Sequence, residues 1–491
     1  MSGLAPGFDL QRSDWPILAA TDETSLRTLN VVAPFDGELI ARVSVAGERQ
    51  VQDALFAAFS MFRQKDRWLP ISRRVAILQR TLALIETHAD LLAREAARES
   101  GKALRWCERE VEQACEDARA GIAELRSGLL KELPEGPFCG MQPNAEQVRF
   151  EVPEPLGAVV VVLGRSSPLQ LAARFLFAAV AAGCPIIIKP AEAVPLSTLR
   201  LVHLLHEAGL PYVWCQSVVT ETHEITAQLV QDPRVALLCF CGSADLGFRL
   251  RAELSPGTRA MLDHGSVVPA IVAPDASLAL AVETIVAEGL TQIAPNNESI
   301  QRVYVPRELV DAFVQALVER AGRVVSGDPL LLQTELGPLV RAIDLQRVQQ
   351  WVKAAIDSGG RLICGGSPVG RQGYAPTIVL NPALDTLIST QPAGAPLLAV
   401  FAVGSMEEAC ERANSLPLAR GARVFTESVT LAGALSKALD ATLVGINDAA
   451  NEQPGQSTSS GLRRSGLGEL GFRAACDAMQ IAKFVDVRSS S

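Results

Sequence analysis

The sequence lacks the features by which secreted, membrane-spanning and nucleic-acid-binding proteins are usually recognised. It begins without a basic segment followed by an apolar run, so we expect no signal peptide. No stretch approaches the roughly 20 consecutive apolar residues of a membrane span. The net charge of −9, with no run of Lys and Arg, argues against a nucleic-acid binder. We therefore expect neither membrane nor nucleic acid among the partners.

The sequence also lacks a CxxC pair, although it contains ten cysteines. A chain of 491 residues does not need disulfides to hold its core together, so we expect reduced thiols and a cytoplasmic location. Hydrophobic residues make up 48% of the chain and charged residues 20%, which excludes a disordered protein. The chain is longer than a single hydrophobic core usually supports, which predicts two or three domains.

The first third of the chain is predicted to be helical. Leu78, Leu82 and Ile85 recur at helical spacing and predict a helix with one apolar face. Gly101 is a typical stop, and a second, charged helix is expected from Trp106 to about Leu130.

From residue 155 onward, short β-branched runs alternate with helical stretches. Ala158 to Leu163 has the composition of a strand covered on both faces, and Pro185 to Lys189 predicts a second strand. A helix is expected between them and another over 197–208. The alternation continues to about Asn447, which predicts parallel sheets with helices on both sides.

Several short motifs occur in an order and spacing that resemble the aldehyde dehydrogenase superfamily over about residues 30–485. They are Lys189-Pro190-Ala191-Glu192, Phe240-Cys241-Gly242-Ser243 with Gly247, Gln301 to Val305, Glu335 to Leu339, Val444 to Asn447 and Gly461 to Gly466. The resemblance implies an α/β fold with two parallel-sheet domains and a β oligomerisation arm.

The same resemblance implies domain boundaries and an assembly. A Rossmann-like, NAD-binding-type domain is expected at residues 1–136 and 157–267, and a catalytic-type domain at 268–460. The arm and tail are expected at 137–156 and 461–491. Because this arm builds dimers and tetramers in the family, we expect a homo-dimer or tetramer, or a hetero-oligomer with an active relative.

The cofactor half of the expected site retains its chemistry. Lys189 and Glu192 would lie at the carboxyl edge of a sheet, where open α/β folds bind ligands. By the resemblance Glu192 accepts hydrogen bonds from ribose hydroxyls, which favours NAD over NADP. Gly242, Ser243 and Gly247 would open a helix whose free N–H groups suit a pyrophosphate. The alternative is that Lys189 and Glu192 are a surface ion pair and that Gly242 is a simple turn.

The reaction half departs from the family at its catalytic positions. By the resemblance, the nucleophilic cysteine position falls on Asn297, which has no thiol to form a hemithioacetal. The amide that would stabilise the oxyanion is replaced by Ser166, which has one donor instead of two. The general-base position falls on Asp263, whose side chain is one methylene shorter than the glutamate of the family.

The side chains expected to bind the nicotinamide ribose are also missing. The family's Glu and Phe positions fall on Pro392 and Gly394, which have no acceptor side chain and no packing surface. Together these departures predict a catalytically deficient, aldehyde dehydrogenase-like protein with a structural or regulatory role and weak or vestigial NAD binding. The alternative is an active NAD-dependent aldehyde dehydrogenase or oxidoreductase with altered chemistry in the same cleft.

Two other residues near the expected centre could contribute chemistry. The Cys241 thiol could reach a substrate, or Cys241 could be a small buried residue on an apolar strand. His264 could be a packing residue or a partner of Asp263. The sequence offers no evident base for a serine nucleophile and no metal-ligand motif.

Overall fold

The computed structural model describes residues 13–20, 25, 27–127, 148–291, 299–448 and 459–487. The helices are α1 Glu48–Arg63, α2 Ile71–Thr87, α3 Ala89–Ser100, α4 Leu104–Arg126, α5 Pro168–Ala182, α6 Leu196–Glu207, α7 His223–Gln231, α8 Ala244–Ala252, α9 Leu278–Gly289, α10 Val310–Ala321, α11 Ala342–Asp357, α12 Leu387–Thr390, α13 Met406–Asn414, α14 Val429–Ala438 and α15 Phe472–Ala478.

The strands range from two-residue bridges to strands of eight residues. They are β1 Asp14–Trp15, β2 Thr28–Val32, β3 Leu39–Ser44, β4 Val148–Pro155, β5 Ala158–Leu163, β6 Ile186–Lys189, β7 Cys215–Ser217, β8 Val235–Gly242, β9 Arg259–His264, β10 Val268–Val272, β11 Ile300–Pro306, β12 Arg361–Cys364, β13 Pro368–Val369, β14 Gly373–Tyr374, β15 Thr377–Leu380, β16 Leu397–Val403, β17 Leu418–Ala419, β18 Gly421–Phe425, β19 Leu443–Ile446, β20 Ser459–Ser460, β21 Leu462–Arg463, β22 Gly466–Leu467, β23 Glu469–Leu470 and β24 Gln480–Val487.

The first large sheet has the strand order β22-β9-β8-β5-β6-β7 and is parallel except at its β22 edge. Alternate residues of a strand point to opposite faces. Ile186 and Ile188 therefore pack into one core cluster, whereas Ile187 packs into another on the opposite face. Both faces are covered by helices, which explains the unbroken apolar runs of β5 and β6.

The second large sheet has the order β12-β15-β16-β11-β10-β18-β19, with β12 as an antiparallel edge strand. It too separates two core clusters, with Val268 and Ala270 in one and Ile271 in the other. Outside the two sheets, β4 pairs antiparallel with β24 as a two-stranded arm. The predicted fold of two parallel-sheet α/β units with a β arm is confirmed.

The element boundaries agree with the sequence in most places. The predicted first helix is present as α2 and α3, and Gly101 ends α3 in the left-handed conformation, with a φ of 74°. The prediction that the whole first third is helical is wrong, because β2 and β3 form an antiparallel hairpin before α1. In the described ranges, no helix has both the length and the apolar composition that crossing a membrane requires.

A close backbone contact joins the two halves of the molecule next to α3. A Cβ at Gly337 would lie 1.9 Å from the carbonyl oxygen of Gly101, and a Cβ at Gly101 would lie 2.7 Å from that of Pro338. The family-like motif Glu335 to Leu339 thus supplies the glycine that lets the chains approach.

We expect Gly337→Ala to destabilise the protein by about 1–3 kcal/mol, because the added methyl group overlaps a backbone carbonyl that cannot rotate away. The matched control is Gly433→Ala, on the exposed side of α14, where nothing lies within 4 Å of the new Cβ. That change should stabilise the helix by about 0.5–1 kcal/mol. Urea unfolding of both variants measures the difference, and equal midpoints for the two would contradict the contact.

Candidate active site

A deep cleft separates the two large sheets and has a volume of about 1290 Å³. One wall is formed by the carboxyl ends of β5, β6, β8 and β9, which is where parallel α/β sheets carry their ligand sites. The opposite wall is formed by the segments that lead into the amino ends of β16 and β18. Apart from Gly247, the expected cofactor and reaction positions that lie in the described ranges therefore line one cleft.

Asp263, at the predicted general-base position, is engaged in an ion pair. It lies near the end of β9 and is 2% exposed. The Nη1 of Arg420, which directly precedes β18, donates to Asp263 Oδ1. Both side chains are buried, so the pair crosses the floor of the cleft and joins the two sheets.

Ser166, at the predicted oxyanion position, lies on the cleft wall between β5 and α5. Its neighbour Ser167 has a left-handed φ of 44° and accepts a 3.0 Å hydrogen bond from Lys102 Nζ. Lys102 is also paired with buried Glu110, whose Oε2 accepts from the backbone N–H of Leu169 at 3.2 Å. The network holds the first turn of α5 in place and thereby positions the segment that carries Ser166.

Lys102 and Glu110 were not among the residues predicted for the site. Their signal in the sequence is an i,i+8 pair of opposite charges that starts just before a helix, which is ordinary for a solvated helix surface. Their burial at 4% and 3% exposure identifies them as part of the cleft framework.

Asn297, at the predicted nucleophile position, lies outside the described residues. The nearby strand β11 is tied to the opposite wall by Gln301, which belongs to the matched motif. Gln301 Nε2 donates to the carbonyl oxygens of Ile388 and Gln391, at 2.7 Å each, and its Oε1 accepts from Ala393 N–H at 2.8 Å. The loop that carries the expected nicotinamide positions is thus fixed by three hydrogen bonds.

Pro392 and Gly394, at the predicted nicotinamide-ribose positions, both line the cleft. Pro392 Cγ lies 3.4 Å from the point where a Cβ on Gly265 would be, so these two segments of the cleft lining lie close together. Gly394 has a φ of 58°, which a glycine adopts without strain. No carboxylate is provided at either position.

Lys189, Glu192, Gly242 and Ser243 all lie on the cofactor half of the cleft wall. Lys189 ends β6 and is paired with Glu192. Lys189 is buried, so the pair forms part of the cleft and not an exposed surface pair. Ser243 is the N-cap of α8, and its hydroxyl accepts from the N–H of Leu246 at 3.4 Å. The free N–H groups of this first turn point to the kind of site that holds a phosphate.

Gly247 has a different task from the other predicted cofactor residues. It lies inside α8, where a Cβ would come 2.1 Å from His264 Nε2 and 2.8 Å from Phe240. The glycine therefore lets α8 pack closely against β8 and β9. The His264 ring lies edge-on to Phe240 and Phe248, with centroids at 5.9 and 5.0 Å. Burial lowers the pKa of His264, so the structure favours the packing alternative over a partnership with Asp263.

Cys241 is the one cysteine on the cleft wall among the described residues. It lies opposite Asp263 in the pairing of β8 with β9. Burial, and then the negative charge of Asp263, raise the pKa of the Cys241 thiol well above its usual value. A protonated thiol is a poor nucleophile, which favours the small-residue alternative.

The model of the aldehyde dehydrogenase family matches residues 20–485. The chain belongs to this family. It is 28% identical over 459 residues to a 3-sulfolactaldehyde dehydrogenase from Priestia aryabhattai, covering 93% of this chain and 94% of that protein. It is 31% identical over 453 residues to a 3,6-anhydro-alpha-L-galactose dehydrogenase from Streptomyces coelicolor, covering 91% and 90%. The crystal structure of an NAD-dependent aldehyde dehydrogenase from Sinorhizobium meliloti superimposes with a TM-score of 0.88 at 25% identity, covering 97% and 95%.

The sequence reasoning missed the arginines at the start of β18. Arg420 pairs with Asp263, and Arg423, inside the strand, pairs with buried Glu288 at 2.8 Å. The sequence does contain a sign of these pairs. Arg420 directly precedes, and Arg423 lies within, a five-residue strand whose residues are all buried. A cation inside such a strand requires a buried anion, although the sequence does not tell which one.

We expect Asp263→Leu and Arg420→Met each to lower the free energy of unfolding by about 3–5 kcal/mol, because each breaks a buried ion pair. The double variant should lose less than the sum, since the same pair can be broken only once. The control is Arg464→Met, which removes an exposed pair with Asp245 and should cost about 0–1 kcal/mol. Urea unfolding tests the cycle, and additive losses would contradict a direct pair.

Proposed function

We propose that this chain is a member of the aldehyde dehydrogenase family that does not oxidise aldehydes by the cysteine mechanism and serves as a structural or regulatory subunit. The observation that carries the proposal is the buried pair between Asp263 and Arg420. In the family's reaction, a carboxylate must take a proton from the water that cleaves the thioester. Here one oxygen of the candidate carboxylate, Asp263 Oδ1, already accepts a hydrogen bond from the buried guanidinium of Arg420, so it is engaged in a structural contact.

The nucleophile is the second support for the proposal. The resemblance places Asn297 where a thiolate would attack, and an amide cannot replace it. The Cys241 thiol on the cleft wall is kept protonated by its burial. A serine at position 166 offers the oxyanion a single donor, and the loss of one such donor typically costs about 10²–10³ in rate.

The activity proposal is tested by following NADH absorbance with NAD and a panel of aldehydes. We expect no turnover from the native chain and little from Asn297→Cys, because Arg420 still holds Asp263. A combined variant with Asn297→Cys, Ser166→Asn, Asp263→Glu and Arg420→Leu should exceed the single variant by about 10²-fold or more, since each change restores a separate step.

Turnover by the native chain would overturn the proposal in favour of an active enzyme with altered chemistry. Robust turnover by Asn297→Cys alone would show that the remainder of the site is intact. Circular dichroism and the unfolding midpoint of each variant serve as controls, because the combined variant also removes a buried ion pair.

We further propose that NAD binds weakly and by its adenosine half. Lys189, Glu192 and Ser243 lie together on the cleft wall, whereas Pro392 and Gly394 offer no acceptor side chain to the nicotinamide ribose. Titration calorimetry should therefore give similar affinities for NAD and ADP-ribose, within about threefold, because the nicotinamide adds little binding energy. If NAD bound more than about tenfold more tightly than ADP-ribose, the nicotinamide half would contribute to binding, which would contradict the proposal.

The proposed role also requires an assembly. The arm of β4 and β24 leaves the outer edge of each strand without a partner strand in the described ranges. Ile481 on β24 is 45% exposed, and such an edge is suited to extending a sheet into a second subunit. We propose a homo-dimer or tetramer, or a hetero-oligomer with an active relative in a cytoplasmic setting; light scattering that gives the monomer mass would exclude the homo-oligomer.

A further inference from the structure

Three arginines converge on one carboxylate at the wall of the cleft. Arg165 follows β5, whereas Arg341 and Arg347 flank Asp344 at the start of α11. Both Nη atoms of Arg165 donate to the Asp344 carboxylate. Arg341 donates to it from Nε at 3.1 Å and from Nη2 at 3.2 Å. Arg347 is 3.5 Å from the same carboxylate and donates from Nη2 to the carbonyl oxygen of Ala393 at 2.7 Å.

The charges of this cluster do not balance. Three guanidinium groups and one carboxylate leave a net charge of +2, and in the described ranges Asp344 is the one carboxylate that pairs with any of the three. Burial, together with repulsion from Arg165 and Arg341, lowers the pKa of Arg347. Burial opposes ionisation of Asp344, yet hydrogen bonds from Arg341 and Arg165 lower its pKa to about 2.

The excess charge faces the cleft. Arg165, Arg341 and Arg347 line its wall, with 27%, 51% and 29% of their side chains exposed, whereas the carboxylate of Asp344 is buried behind them. A guanidinium group has five N–H donors, and the hydrogen bonds above use fewer than half of those in the cluster. The remaining donors are available to solvent or to a ligand.

A bridge between the two halves of the molecule does not require this arrangement. Arg165 follows β5 of the first sheet and Asp344 lies in α11, which packs on the second sheet, so this one bidentate pair already joins the two halves. Two additional arginines on the same carboxylate add repulsion without extending the bridge. Their convergence is explained if a second anion completes the cluster.

We propose that Arg165, Arg341 and Arg347 form a binding site for a doubly charged oxygen anion, either the phosphate group of a phosphate ester or the carboxylates of a dicarboxylate. Two negative charges would neutralise the cluster, and planar guanidinium groups bind such oxygens in bidentate fashion. The site lies beside Pro392 and Gly394, where the family resemblance expects an uncharged ribose. It goes beyond the proposed function, because an anion site is compatible with either a silent or an active reaction centre.

The test is titration calorimetry of the full chain with inorganic phosphate and with malonate, at constant ionic strength and without NAD or aldehyde. Arg165→Gln and Arg341→Gln should each weaken the binding of the preferred anion roughly tenfold, the usual value of one charged hydrogen-bonding group. Arg347 is left unchanged because it also holds Ala393. Preference for phosphate assigns a phosphate ester, and preference for malonate assigns a dicarboxylate.

Two matched controls separate a specific site from the general charge of the cleft. Arg249→Gln removes one cation from another part of the same wall, and Arg323→Gln removes an exposed cation that pairs with Glu319. Both should change the affinity by no more than about twofold, because distant charges are screened by salt. The proposal is overturned if neither anion binds the native chain, or if Arg249→Gln weakens binding as much as Arg165→Gln. Unfolding midpoints confirm that each variant is folded.

Discussion

The buried ion pair between Asp263 and Arg420 is the constraint on which the centre of the molecule depends. Taking both ions out of water costs several kcal/mol for each, so the two must stay in contact once they are buried. Asp263 lies near the end of a strand of the first sheet and Arg420 directly precedes a strand of the second, so their contact sets the width of the cleft floor. The residue that resembles a general base is thereby a structural element.

The fold was accessible from sequence because local patterns determine it. Apolar runs such as Ala158–Leu163 and helical spacings such as Leu78, Leu82 and Ile85 reflect neighbours close in the chain. The pairing of Asp263 with Arg420 spans 157 positions, and no local pattern reveals such a contact. The β2–β3 hairpin was missed for a related reason: its short strands alternate only partly between buried and exposed residues.

Several residues that match family motifs make contacts that serve the scaffold. Gly247 lets α8 pack against His264, and Gly337 allows the backbone at Gly101 to approach closely. Gln301 forms the hydrogen bonds that fix the loop carrying Pro392. Selection for folding alone would retain all three. A match at these positions therefore identifies the fold and the family, whereas chemistry must be judged from residues that face the cleft.

The size and charge of the cleft bear on whether it holds a ligand. If the cleft bound no ligand, substitutions that fill it with larger side chains would carry no functional cost. Substitutions that remove mutually repelling charges such as Arg341 and Arg347 would carry none either. It remains about 1290 Å³ in volume and carries clustered arginines, in a chain whose net charge is −9. The net negative charge keeps the protein soluble, but arginines that repel one another inside a cavity contribute neither solubility nor stability. Their presence is most simply explained by a bound anion, whether or not the cleft oxidises aldehydes.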